Sequence, residues 1–217
     1  MRKRSAKQLL IATLLFLVFP GTSYGQKLIY KEDTGGKTSL REVLILSSPT
    51  GYTVRSGYNE STTDSGFSSL EWEYRDKKTN TDISSKRREN IIIIKGCLKG
   101  KLIDTKLEID DSPWFQFWGL GLKDFMVSEQ ESTIFWSINP DNLRINKFEA
   151  HKTGEESIEI NGAQVKAIRV LVTLSGALAR FWSAEYCFRV SDGRELKSEM
   201  KRAPMAPSSV LKLVDEQ

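Results

Sequence analysis

The chain has one histidine and two cysteines in 217 residues, which leaves little material for metal or nucleophilic chemistry. A Ser-His-Asp or Cys-His site must use His151. That residue lies in the hydrophilic run FEAHKTGEE beside a turn, an ordinary setting for an exposed imidazole. One His and two distant Cys make no zinc set, and no G-x-S-x-G occurs. The run DTGGKTSL (residues 33–40) lacks phosphate-loop spacing, because no Gly stands five residues before Gly36. Glu108, Asp110 and Asp111 offer oxygen ligands suited to calcium, yet acids ahead of a helix favour its dipole without any ion. Acid pairs such as Glu155-Glu156 are too common to specify glycoside hydrolysis. No catalytic residue, metal or cofactor is expected.

Long apolar runs are also missing beyond the N-terminus. MRKRSAK is a basic leader, QLLIATLLFLVF an apolar stretch, and PGTSYG a polar end with Ser23 and Gly25 at the −3 and −1 positions. This pattern predicts a signal peptide over residues 1–25, cut before Gln26. The apolar stretch falls short of the roughly 20 residues a spanning helix needs. No Cys follows it to accept a lipid. The greasiest later run, NIIIIKGCLKG, is of strand length and is broken by Lys95 and Gly96. The expectation is a periplasmic or secreted chain with no membrane span after cleavage, residues 26–217 forming one domain.

An excess of one charge is absent too. The chain has 32 Lys+Arg and 28 Asp+Glu, and four of the basic residues (Arg2, Lys3, Arg4, Lys7) lie in the leader. The remainder is balanced, without the basic cluster a nucleic-acid partner requires. An oxidising compartment permits one bridge, Cys97–Cys187, and equally two free thiols. The alternation places both cysteines on outer strand faces.

What the chain does have is period-two alternation. SLEWEYRD sets Leu70, Trp72 and Tyr74 against Glu71, Glu73 and Arg75. QVKAIRVLVTL places Ile168, Val170, Val172 and Leu174 on one face, and ARFWSAEYCFRV does so with Trp182, Ala184, Tyr186, Phe188 and Val190. Such segments are strands with one buried face. Asn161-Gly162 and Asp192-Gly193 each separate two of them, as type I′ hairpin turns do; Pro49-Thr50-Gly51 is a weaker third. The polar run 76–90 reads as a long solvated loop.

One segment stands apart. SPWFQFWGLGLKDFMV (residues 112–127) has Ser112 to cap a helix and Pro113 to start it. At helical spacing Trp114, Phe117, Trp118, Gly121 and Phe125 share a face that Phe115, Leu122 and Met126 widen, leaving Gln116, Lys123 and Asp124 as a narrow polar stripe. A helix apolar over most of its circumference is buried. The predicted fold is therefore mainly β (α+β): a highly curved antiparallel sheet, an open half-barrel of about nine to eleven strands, wrapped around one buried aromatic helix over 113–126.

Function is read from that hollow. Trp114, Phe117, Trp118, Leu122 and Phe125 would form a movable plug, with Phe135, Trp136, Trp182, Tyr186 and Phe188 as the wall. The expected activity is non-enzymatic binding of an apolar ligand such as a lipid or acyl chain. The alternative is a cell-envelope interaction or scaffolding module with a packed core, using a strand edge or outward rings at Phe181 and Phe135/Trp136 to hold an envelope protein.

The C-terminal half, with Phe135-Trp136, Pro140-Asp141, Asn161-Gly162, Phe181-Trp182, Asp192-Gly193, Pro204 and Pro207, resembles a group of uncharacterised exported bacterial proteins. This chain has Cys187 where that group has Trp, and Ala203 and Ala206 where its tail is Gly-rich. The layout is similar to the periplasmic lipoprotein-carrier architecture. The resemblance implies an exported half-barrel and carries no activity with it.

Overall fold

A computed structural model of the chain describes residues 25–201 and 208–217, without the side chains of Leu178, Phe181 and Lys201. The expected signal peptide (save Gly25) and the tail prolines Pro204 and Pro207 lie outside the described residues.

The alternating segments form strands, and the tight turns between them fold each strand back on the last. First come β1 (Gly25–Thr34), β2 (Lys37–Ser48), β3 (Gly51–Ser56), β4 (Asn59–Thr63), β5 (Ser69–Asp76), β6 (Thr81–Arg88), β7 (Ile91–Leu98) and β8 (Lys101–Glu108). After a crossing segment follow β9 (Ser132–Ile138), β10 (Ile145–Ile160), β11 (Ala163–Leu174), β12 (Ser183–Arg189), β13 (Glu195–Lys201) and β14 (Ser209–Glu216). Within each group, neighbours in sequence are antiparallel neighbours in the sheet. β1 then pairs with β14, Leu28 opposite Glu216 and Thr34 opposite Ser209. This seam joins the two meanders into one sheet of 14 strands, with β8 at one edge and β9 at the other. The sheet does not close on itself. No helix among the described residues is long and apolar enough to cross a membrane.

The predicted class holds, with 14 strands rather than about nine to eleven. The run 76–90 is not a loop. It contains β6, whose Thr81, Ile83 and Ser85 face inward and are buried while their neighbours are exposed. Two of those three inward side chains are hydroxyls, so the alternation is polar against charged and carries no amphipathic signal. β4 hides the same way, burying Ser61 and Thr63. The predicted hairpins form, but only one has the expected turn: Asn161 and Gly162 both take positive φ, 51° and 80°, whereas at Asp192-Gly193 only Gly193 does (67°), in a longer loop closed by the Arg189–Arg194 backbone bond. At the β2–β3 turn Gly51 has φ 155°, and an added Cβ would lie 2.0 Å from the Thr63 carbonyl oxygen.

The concave face carries three contiguous apolar clusters. One gathers Trp72, Ile83, Ile92 and Ile94 from β5–β7 with Ile138 and Leu143 from the far edge, so side chains draw the two ends of the sheet together. A second centres on Phe135, Phe148, Val170, Val172, Tyr186 and Phe188. The third lies around the seam, with Leu28, Tyr30, Ile45, Val54 and Leu213.

Cys97 and Cys187 are both free. They stand on β7 and β12, far apart in strand order, so no bridge forms. Cys187 is also not outward in the sense expected. It is buried, packed in the same cluster as Ile158, Ile160 and Val165 from the distal arm of the β10–β11 hairpin. Its thiol donates to Glu156 Oε1 at 2.8 Å. Burial, and then the Glu156 carboxylate, push that thiol up to about 12. Since only the thiolate attacks a disulfide reagent, native protein should show one fast-reacting thiol, Cys97, and a second only after denaturation. Two fast native thiols would contradict this packing.

Candidate functional site

Residues 109–131 run from edge strand β8 to edge strand β9. The predicted single helix over 113–126 is not what forms there. Residues 113–116 are extended, and only two short helices follow: α1 (Trp118–Gly121) and α2 (Lys123–Val127). Ser112 is not the cap; its backbone N–H donates to Asp110 Oδ1 in a turn. The residue at the start of α1 is Phe117, which has no capping side chain.

The reason is that the backbone of 113–116 finds better partners. Trp136 N–H donates to the Pro113 carbonyl at 2.8 Å and Phe115 N–H to the Trp136 carbonyl at 2.9 Å, a parallel bridge to the β9 edge. On the other side Ser69 N–H donates to the Trp114 carbonyl at 2.6 Å, and the Gln116 N–H donates to Ser69 Oγ. Gln116 extends this pairing with its side chain, donating to the Ile138 carbonyl and accepting from Ile138 N–H. Residues 113–116 are therefore a strap held between β9 and the start of β5.

Asp110 anchors the strap. Its carboxylate accepts from Trp136 Nε1 at 2.8 Å and pairs with Lys147. Arg87 donates to the Asp110 and Ser112 carbonyls. The Lys147 ammonium, then the Trp136 and Ser112 donors, hold the Asp110 carboxyl well below the usual range. A depressed folded pKa stabilises above the unfolded value and is lost as pH falls through the folded one. Wild-type protein should thus lose stability below about pH 4 more steeply than Asp110→Asn, as read by urea midpoints against pH. Parallel curves would remove Asp110 from its anchoring role.

Beyond the strap, α1 and α2 fill the hollow as a plug. Trp118 is its hub, with ring centroids 5.3 Å from Phe135, 4.5 Å from Phe148, 5.4 Å from Trp182 and 6.3 Å from Tyr186. These separations suit edge-to-face and offset contacts. Its Nε1 donates to Ser137 Oγ at 2.9 Å. Leu122, Phe125 and Met126 are buried in the same cluster. The two glycines permit close seating: a Cβ on Gly121 would fall 2.4 Å from the Phe115 ring, and one on Gly119 would fall 1.6 Å from Glu195 Oε2.

Of the ten residues singled out from sequence, seven converge: Trp118, Leu122, Phe125, Phe135, Trp182, Tyr186 and Phe188. Three do not. Trp114 and Trp136 belong to the cluster under the strap, and Phe117 packs toward the seam. Trp114 is fully buried there, so it is a fixed part of the wall and not of the plug. Phe135 points inward, leaving no outward ring from that residue; the side chain of Phe181 is outside the described residues. His151 is partly exposed, with Nε2 3.0 Å from Glu149 Oε1. Among the described residues no group of three or more His, Cys, Asp or Glu is placed to hold a metal ion.

Two site residues escaped the sequence reading. Phe148 was legible in the alternation of INKFEA. Glu195 was not. It is buried under Gly119, and its Oε1 has no hydrogen-bond partner. Burial raises its carboxyl above the ordinary value, against the opposing effects of a hydrogen bond with Ser198 and the charge of Arg41. Burial and the Glu195 charge likewise raise the nearby Tyr186 hydroxyl. A hollow of about 660 Å³ on the outer face of β5–β8 is no rival for an apolar ligand, being lined by the ion pairs Lys86–Glu71 and Lys95–Asp104.

No protein-family model matches the chain, and no curated protein matches it by sequence. Solved structures do. A β-barrel-like protein of the DUF1849 family from Brucella abortus aligns over 89% of this chain and 97% of its own, at 9% identity and a TM-score of 0.56. The hypothetical lipoprotein YmcC from Escherichia coli aligns over 89% and 87%, at 10% identity and a TM-score of 0.41. A LolA-superfamily protein from Nitrosomonas europaea aligns over 92% and 87%, at 10% identity and a TM-score of 0.30. The first likeness shows a shared β-barrel-like fold; the other two are too distant to argue from.

The plug's seating is testable. Gly121→Ala gains up to about 1 kcal/mol of helix propensity but drives a methyl into Phe115, and overpacking of this kind costs about 1–3 kcal/mol. The variant should be less stable in urea than wild type. Equal or higher stability would mean that Phe115 and Gly121 are not in contact.

Proposed function

We propose that this is an exported, non-enzymatic protein that binds an apolar ligand, a lipid or acyl chain, on the concave face of its sheet where α1 and α2 sit. One observation carries the reading. The aromatic wall converges on a single ring, Trp118, borne by a helix of four residues with no side-chain cap. A helix that short has no stability of its own. Burial of its side chains holds it, at about 1.5–3 kcal/mol for a large apolar side chain, and an acyl chain can replace that burial in kind. Displacing α1 and α2 would uncover Phe135, Phe148, Trp182, Tyr186 and Phe188 as one surface. The basic and apolar leader at residues 1–25 supports export and leaves 26–217 as the mature domain.

A second reading has its own support. Trp72, Trp114, Phe135 and Phe188 are fully buried, so the interior is already filled. On that reading the protein is a cell-envelope interaction module with a packed core. The two separate in one experiment. Protein purified from the periplasm of a bacterial host is extracted with solvent and analysed by mass spectrometry, and the stripped protein is titrated with a fatty acid while tryptophan emission is followed. A co-purifying acyl lipid and a saturable emission change are expected. No lipid and a flat titration would rule out the binder and leave the packed module.

A further inference from the structure

The concave face carries buried hydroxyls such as Ser61, Thr63, Ser85 and Ser137, and directly beneath the plug it also carries a buried carboxylate. Glu195 is on β13, at the bulge opposite Phe188. It is more than nine-tenths buried, and Oε1 lacks any hydrogen-bond partner. A buried acceptor left unpaired is costly, and sites built for amphiphiles are apolar walls with a few such groups. What covers the carboxyl is Gly119 of α1, a residue that offers it no side chain. The groups facing it from other elements are Tyr30 on β1, whose hydroxyl donates to the Glu195 carbonyl, Tyr186 on β12 and Arg41 on β2, with Ser198 farther along β13. Arg41 does not neutralise it fully, because its Nη2 is held by Glu32 Oε2 at 2.7 Å. Lifting α1 would open an aromatic pocket with the Glu195 carboxylate at its floor and the Ser137 hydroxyl, released from Trp118, on its wall.

We propose that Glu195 is the polar anchor of this pocket and selects amphiphiles whose head donates hydrogen bonds or carries positive charge, long-chain amines first. The inference rests on the apolar-ligand reading above and adds the chemistry of the head. An ammonium supplies the missing donor and makes a charge-assisted hydrogen bond. The ring of Phe188 opposite Glu195 suits a cation as well. A carboxylate head would bring a second negative charge to the same place.

Three chains of equal length separate these contributions. Dodecylamine, dodecanol and dodecanoate are titrated below micelle formation at neutral pH, where the first is protonated and the last ionised, with tryptophan emission as the readout. Wild-type protein should bind the amine about tenfold more tightly than the carboxylate, with the alcohol between. In Glu195→Gln, which keeps the shape and removes the charge, the amine and carboxylate should converge to within about twofold while the alcohol is unchanged. Equal affinities in wild type would overturn the anchor and leave the apolar site standing, as would a preference that persists in the variant. Binding of none of the three would remove the site and the anchor together. Should Glu195→Gln fail to fold, Glu195→Asp, which keeps the charge but draws it back from the pocket, should weaken the amine preference severalfold, and an unchanged preference would overturn the anchor.

Discussion

A curved sheet with two free edges and an apolar hollow is an incomplete object, and a single segment between β8 and β9 completes it. The backbone hydrogen bonds of 113–116 fasten that segment to Trp136 on one side and Ser69 on the other. The rings that follow are then delivered to the hollow at a fixed height. Without the strap, α1 and α2 would be two turns of helix with no reason to exist, because neither is long enough to persist alone. The strap also blunts the β9 edge, where unpaired backbone groups would otherwise invite other chains.

The surroundings grade from polar to apolar along this segment. At its start Asp110, Arg87 and Lys147 form a charged knot at the surface. Gln116 then mimics a strand with its side chain, and from Trp118 onward contacts are ring on ring. The knot lies outside the aromatic cluster around Trp118, so on the proposed reading the strap stays in place while the part beyond Phe117 moves. Phe117, the extended residue between the strap and α1, is the natural joint.

Much of the fold was legible because it is local. Turns such as Asn161-Gly162 announce themselves by backbone chemistry, and β10–β12 by apolar alternation. β4 and β6 were hidden because their inward residues are serines and threonines, whose burial depends on partners elsewhere in the chain. The segment 113–116 reads as helix by period alone, since nothing in it reveals that Trp136 and Ser69 will claim its backbone. Glu195 was unreadable for a different reason. Strict alternation from Met200 and Ser198 puts it outside, but the bulge between Cys187 and Phe188 makes Leu196 the extra residue and turns Glu195 inward.

The β1–β14 seam sets the order in which such a molecule can assemble. Every other pairing in the sheet joins strands adjacent in sequence, and these hairpins zip up on microsecond scales. The seam instead joins Leu28 to Glu216, so nearly the whole chain must be gathered before it forms, and non-local closure of that kind is slow. Two half-sheets with their apolar faces uncovered would wait for that last zip, and during the wait the hollow would be open to whatever greasy molecule is nearby.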